Sequence, residues 1–151
     1  MFLIGQPPTY ALGITGLRDT KGRVDSMELA DHVKAKRVLE IGCNSGFLSL
    51  SVAAAKTDGF DLNPFLINID IGIAAADNLG VDNAHFWTSS FEELDAKPEY
   101  DFVLSFANHS TFDENTSQDI ESYFSKCAAF LVPEGTLFLN RTHQPTKVTG
   151  L

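Results

Sequence analysis

The chain has 151 residues, enough for one domain with its own core, and its 44% hydrophobic and 21% charged content is that of a globular protein. Twenty acids against eleven scattered bases leave a net charge of -9, which argues against a protein that grips phosphate backbones. No run approaches the ~18 apolar residues that cross a bilayer, and the first twenty residues lack a signal peptide's basic start and apolar stretch, so a soluble, cytoplasmic protein is expected.

Residues 1–20 read as irregular, interrupted by Pro7-Pro8, Gly13 and Gly16. Periodicity predicts a helix over Arg23–Val33, with Leu29, Ala30 and Val33 on one face and Val24 and Met27 at its edge. Arg37–Ile41 reads as a buried strand ending at Gly42, Phe47–Ala55 as a helix and Gly59–Leu62 as a second strand. Phe65–Leu79 satisfies two periods. Ile67, Ile69, Ile71 and Ile73 alternate as in a strand, while Leu66, Ile69, Ile73 and Ala76 share a helical face. Asn63 as N-cap, Pro64 as first helical residue and Gly80 as stop decide for the helix. Ala84–Thr88 gives a third strand and Asp101–Ser105 a fourth. A helix over Ser117–Leu131 aligns Ile120, Tyr123, Phe124, Cys127 and Leu131; Pro133-Glu134-Gly135 then turns into a fifth strand, Thr136–Asn140. Strands separated by helices imply right-handed crossovers and a single α/β domain with a doubly wound, mostly parallel sheet. Ligands of such sheets lie at the carboxyl ends of the strands, where the winding reverses. Cys43 and Cys127 form no disulfide framework and have no His or Cys cluster suggesting a metal; buried, reduced thiols are expected.

Four segments fall at those carboxyl ends. Val38-Leu39-Glu40-Ile41-Gly42-Cys43-Asn44-Ser45-Gly46 runs from strand 1 through a glycine-bearing turn into a helix, whose first N–H groups lack partners within it. Glycine stands only at 42 and 46, so the G-x-G-x-x-G of a pyrophosphate site is not met. Gly59-Phe60-Asp61-Leu62-Asn63 ends strand 2 on an acid beside that turn. Asp61 can accept both hydrogen bonds of a ribose diol, or can serve with Asn63 as a turn and cap residue. Ser89-Ser90-Phe91-Glu92 follows strand 3, and Phe106-Ala107-Asn108-His109 follows strand 4. His109, with a histidine's ordinary pKa near ~6.5, can take a proton from a hydroxyl or amine; capping the next helix is its bland alternative. Asn140-Arg141-Thr142-His143 is a rival source of contacts at that end.

In order and spacing, Val38 to Asn140 resembles the class I, Rossmann-like S-adenosylmethionine-dependent methyltransferases. Their first motif, E/D-x-G-x-G-x-G, is matched by Glu40, Gly42 and Gly46, with Asn44 in place of the middle glycine. Asparagine tolerates left-handed backbone, so the exchange is mild. The resemblance implies a sheet order of 3-2-1-4-5 and S-adenosyl-L-methionine as cofactor. Its methionine part would meet Glu40, Gly42, Cys43, Asn44 and Gly46, and its ribose Asp61 with Leu62 alongside. Its adenine would meet Ser90 and Phe91, where the family carries an acid at the position of Ser90, with Phe106 at the end of strand 4. The amino-methylating Asn/Asp-Pro-Pro-Tyr signature is absent after strand 4, which leaves Asn108 and His109 as the catalytic candidates. Arg18 could pair with the cofactor carboxylate, or belong with Arg23 to a charged helix start.

The implied reaction is methyl transfer by direct displacement to the oxygen or nitrogen of a small-molecule acceptor. The alternative is a catalytically inactive cofactor-binding module or a subunit of a larger assembly. Ser90 favours that alternative, as does the shortness of Arg141–Leu151, too few residues for the family's last two strands. A sheet edge without that hairpin is open to pairing, so a homo-oligomer through the edge is expected.

Overall fold

The computed structural model describes residues 20–52, 56–61, 66–106 and 116–140. Its five strands are β1 (Arg37–Ile41), β2 (Lys56–Asp61), β3 (Ala84–Thr88), β4 (Tyr100–Phe106) and β5 (Leu131–Asn140). They form one parallel sheet in the order β3-β2-β1-β4-β5. The chain winds outward from β1 to β3 and then restarts on the other side at β4, so the winding reverses between β1 and β4. Ile41 is level with Phe60 and Ser105, and Asp61 with Thr88, which carries Asp61 one residue past the end of β1.

The helices are α1 (Thr20–Ser26), α2 (Leu29–Val33), α3 (Phe47–Ser51), α4 (Leu66–Leu79) and α5 (Ile120–Ala129). Strand side chains alternate between two apolar layers. On one face Val24, Leu29, Val33 and Leu48 pack on Val38, Leu104, Phe106 and Phe138. Further along that face Ile69, Ala75 and Ala76 of α4 meet Cys43, Leu50 and Phe86. On the other face Tyr123 and Cys127 of α5 pack on Leu39, Ile41, Phe60, Val103, Leu137 and Leu139. The connection from β3 to β4 holds no helix; Phe91, Leu94 and Ala96 cover the sheet there instead.

The sheet agrees with the expected order, and several boundaries move. The single helix expected over Arg23–Val33 breaks after α1, with Glu28 in left-handed backbone at φ 51. On one continuous helix Val24 and Leu29 would point about 140° apart, whereas the break turns both into the same core. β2 starts at Lys56 rather than Gly59, and β4 gains a residue at each end. α5 starts and stops short of Ser117–Leu131: Asp119 caps it, Oδ1 accepting from the Ser122 N–H at 2.9 Å, and Leu131 belongs to β5. The Pro133–Gly135 turn lies inside β5 as an excursion in the ladder, because Tyr100 pairs with Leu131 and Phe102 with Thr136. α4 is a helix, as expected, but Ile73 is 41% exposed while Ile69, Gly72, Ala75 and Ala76 face inward. Contact with the turn after β1 explains the rotation: a Cβ on Gly72 would stand 3.1 Å from the Ser45 carbonyl oxygen, a separation closed to isoleucine.

Candidate functional site

The turn between β1 and α3 is shaped by three residues with positive φ: Gly42 (66°), Asn44 (51°) and Gly46 (67°). The Cys43 N–H donates to the Phe60 carbonyl at 3.0 Å, holding the turn to the end of β2, and the Gly46 N–H donates to the Cys43 carbonyl at 2.8 Å. Asn44 supplies its own support. Its Oδ1 accepts from the Ser45 N–H at 2.8 Å and from the Ser45 hydroxyl at 3.1 Å. Its backbone N–H donates to Asp61 Oδ2 at 2.7 Å, a charge-assisted bond. Beneath the turn lies the Phe86 ring, so close that a Cβ on Gly46 would come within 2.5 Å of it.

Asp61 is 6% exposed at the carboxyl end of β2. A carboxylate offers about four acceptor sites, and the Asn44 N–H takes one of them. Glu40 is equally buried. Its Oε2 accepts from the Ser49 N–H at 3.1 Å and from the Ser49 hydroxyl, placing a negative charge at the first turn of α3 and satisfying one of its orphan donors. Burial, then the charges of Glu40 and Asp61, push the Cys43 thiol far above its ordinary value, so it is a neutral packing group in the turn. Cys127 is likewise buried, and burial holds its thiol up at about 12.

The loop after β3 begins against the same site, with the Ser89 N–H donating to the Asp61 carbonyl at 2.8 Å. Ser90 and Glu93 then cap each other: the Glu93 N–H donates to Ser90 Oγ and the Ser90 N–H to Glu93 Oε2, both at 3.2 Å. The Ser90 hydroxyl oxygen therefore already has a structural donor. Phe91 is 2% exposed, its ring 4.7 Å from that of Tyr123, so any contact it offers a ligand comes from its backbone. Phe106 ends β4 with its ring inside the core formed with Val24, Leu29 and Phe138. The structure thus gathers Glu40, Gly42, Cys43, Asn44, Gly46, Asp61, Ser90 and Phe91 at neighbouring strand ends. Leu62, Asn108, His109, Arg18 and Arg141–His143 lie outside the described residues, as does the side chain of Arg23.

Three participants were not found from sequence. Ser49, the partner of Glu40, is two residues into a helix and carries no motif. Phe86 reads as one more strand aromatic. Glu92 accepts from the Thr116 hydroxyl at 2.8 Å and the Ser117 N–H at 3.1 Å, across a separation in sequence that no local pattern signals.

A family model described as a methyltransferase domain matches residues 32–148. This chain belongs to the class I, S-adenosylmethionine-dependent methyltransferase family. The methyltransferase domain is 30% identical over 115 residues to a ubiquinone biosynthesis O-methyltransferase of Rhizobium leguminosarum bv. trifolii, a match covering 76% of this chain and 44% of that protein. The chain therefore spans less than half of that relative's length. Among solved structures it resembles coclaurine N-methyltransferase bound to N-methylheliamine and SAH, with a TM-score of 0.67 and 18% identity over 80% of this chain and 35% of that one. It also resembles the bifunctional kinase-methyltransferase WbdD, with a TM-score of 0.64 and 23% identity over 91% and 32% of the two chains. The [4+2]-cyclase SpnF superimposes at a TM-score of 0.66 with 16% identity over 87% and 53%. At these identities the likeness is one of fold, and fold alone does not name a reaction. No helix among the described residues is long and apolar enough to cross a membrane.

Proposed function

We infer that this methyltransferase domain binds S-adenosylmethionine and transfers its methyl group to the oxygen or nitrogen of a small-molecule acceptor. The observation that carries the reading is the contact between the Asn44 N–H and Asp61, which joins a buried carboxylate at the end of β2 to the left-handed turn after β1, the strand beside which the winding reverses. These groups fit the cofactor: Asp61 is an acceptor for its ribose hydroxyls, and the left-handed turn from Gly42 to Gly46, exposed at Asn44, is a polar surface against which its amino-acid end can lie. The bound cofactor supplies a methyl carbon on a positively charged sulfur, open to direct displacement. The chain's own task is to align the acceptor and exclude water. In this reading the Phe91 backbone and Ser90 flank the adenine, His109 removes the acceptor's proton and Asn108 orients it. The acceptor class draws support from the relatives, named for O- and N-methylation of small molecules, and from the net charge of -9, which disfavours nucleic acid.

Calorimetric titration with S-adenosylmethionine and S-adenosylhomocysteine tests the binding half; absence of heat with both refutes it. Turnover on a panel of phenols and amines tests the rest. His109→Ala is expected to lower turnover at least tenfold (roughly the lower end of general-base effects) with cofactor affinity unchanged, and equal turnover removes His109 from the mechanism. A second reading, a cofactor-binding module without activity, is favoured by the engagement of the Ser90 hydroxyl with Glu93; binding without turnover on any acceptor would select it. A cytoplasmic setting belongs to the proposal and agrees with two buried free thiols. So does self-association through the outer edge of β5, whose only sheet neighbour among the described residues is β4.

A further inference from the structure

The loop after β3 carries one contact that neither the family motif nor the packing of the core requires. Glu92 is exposed, yet its Oε1 accepts from both the Thr116 hydroxyl and the Ser117 N–H. Its carbonyl accepts from Lys126 Nζ at 3.0 Å, and the Lys126 ammonium also lies 5.1 Å from the centre of the Phe91 ring. Thr116 passes the constraint on, its Oγ1 accepting from the Gln118 N–H at 3.1 Å just before the capped start of α5. At its other end the loop is bonded to the Asp61 carbonyl through Ser89. An unbroken series of bonds and adjacent residues therefore runs from Asp61 through Ser89, Ser90, Phe91 and Glu92 to the residues that lead into α5. Partial burial pushes the Glu92 carboxyl up; the bonds from Thr116, its own backbone and Ser117, with the Lys126 charge, outweigh that and hold it below its ordinary value.

We propose that Glu92 is a positioning residue that ties the loop after β3 to the segment before α5 and so holds the adenine side of the cofactor site in its binding geometry. Phe91 fixes the loop's depth by packing on Tyr123 and Phe130, and the Ser90–Glu93 cap fixes its local shape. Its lateral position is set from two sides, by Lys126 of α5 on the Glu92 carbonyl and by Thr116 and Ser117 on the Glu92 carboxylate. The proposal rests on the cofactor reading given above. It concerns the backbone of Ser90 and Phe91 rather than any direct contact of Glu92 with a ligand.

Calorimetry with S-adenosylhomocysteine on the full chain tests it. Glu92→Ala is expected to raise Kd about five- to tenfold, the scale of one or two lost hydrogen bonds. Glu92→Gln, which keeps an acceptor oxygen in place, is expected to stay within about twofold. Thr116→Val removes the principal donor and is expected to weaken binding in the same direction. The double variant Glu92→Ala/Thr116→Val is expected to be no worse than Glu92→Ala alone, the non-additivity of two residues that share one contact. If Glu92→Ala does not fold, Thr116→Val and Glu92→Gln still decide. Equal affinity of Glu92→Ala and the wild type overturns the proposal and leaves the cofactor reading standing, as does strict additivity of the pair. A wild-type chain that binds no S-adenosylhomocysteine removes both.

Discussion

Replacing Asp61 separates what the carboxylate does for the turn from what it does for the cofactor. In the folded chain its Oδ2 accepts the Asn44 N–H at 2.7 Å, and the residue is buried at the end of β2. Asp61→Asn retains an acceptor oxygen for Asn44, but its amide can accept from only one side and carries no charge. Bonds to a charged acceptor contribute about 1.5–3 kcal/mol each, and losing one of a pair to the ribose corresponds to about 2 kcal/mol, or roughly a 30-fold rise in Kd. Asp61→Ala removes both side-chain acceptors. It should abolish measurable cofactor binding and also orphan the Asn44 N–H, at about 1 kcal/mol or a little more. For a chain of this size that lowers the melting temperature by about 2–4 °C per kcal/mol. The expected pattern is therefore a split: Asn loses affinity with little change in melting, and Ala loses both. Calorimetry with S-adenosylhomocysteine and thermal denaturation of the same preparations measure the two axes. An Asn variant that binds within threefold of the wild type would refute the role assigned to the carboxylate; an Ala variant melting at the wild-type temperature would refute the structural half.

Further expectations follow from contacts around the same site. Gly46→Ala combines left-handed backbone at φ 67 with a Cβ 2.5 Å from the Phe86 ring, at about 2–5 kcal/mol; a melting temperature within about 2 °C of the wild type would contradict the packing described. Ser90→Asp keeps a capping oxygen for the Glu93 N–H and restores the family's acid, against some repulsion from Glu93. Affinity for S-adenosylhomocysteine should rise about threefold to tenfold, and unchanged or weaker binding would show that Ser90 does not face the adenine. Bonds from the Ser122 N–H and hydroxyl hold the Asp119 carboxyl below its ordinary value of 3.8. A depressed carboxylate contributes stability that is complete above the ordinary value and is lost as pH falls through the folded one. The melting temperature of Asp119→Asn should accordingly fall less steeply than that of the wild type on acidification below about pH 4, and parallel acid limbs would exclude Asp119 as a source of the slope.

The parts of the molecule legible from sequence are those whose cause is local. Arg37–Ile41 and Gly42 announce a strand entering a turn because apolar run and glycine are adjacent. Asn63, Pro64 and Gly80 decide the character of α4 against an alternating isoleucine pattern that favoured a strand. The face of α4 was not legible, since Ile73 is displaced outward by a backbone approach between Gly72 and Ser45, residues on different elements. The break between α1 and α2 has the same origin. Helical periodicity is satisfied by one rod, and only the shared core with Phe138 and Leu104 requires two. Glu40 illustrates the limit at the site itself: the motif marks it as a residue of the cofactor turn, while its bonds to Ser49 give it a structural task at α3 that spacing cannot reveal.

The two departures from the family pattern have opposite physical consequences, although both replaced residues end in local hydrogen bonds. At 44 the asparagine takes the left-handed backbone that the middle glycine would have taken, and its side chain bonds Ser45, which rigidifies a turn that glycine would leave looser. Its N–H still reaches Asp61, so the link between the turn and the end of β2 is kept with asparagine at this position. At 90 the serine keeps the local cap but carries no charge, and its oxygen is already occupied by the Glu93 N–H. In the proposed cofactor reading, what the family supplies to the adenine through a side chain comes here from the backbone of the loop, so the placement of that backbone becomes decisive. A contact that fixes the loop from outside, as Glu92 does through Thr116 and Ser117, therefore carries more weight in this chain than it would beside an acid at position 90.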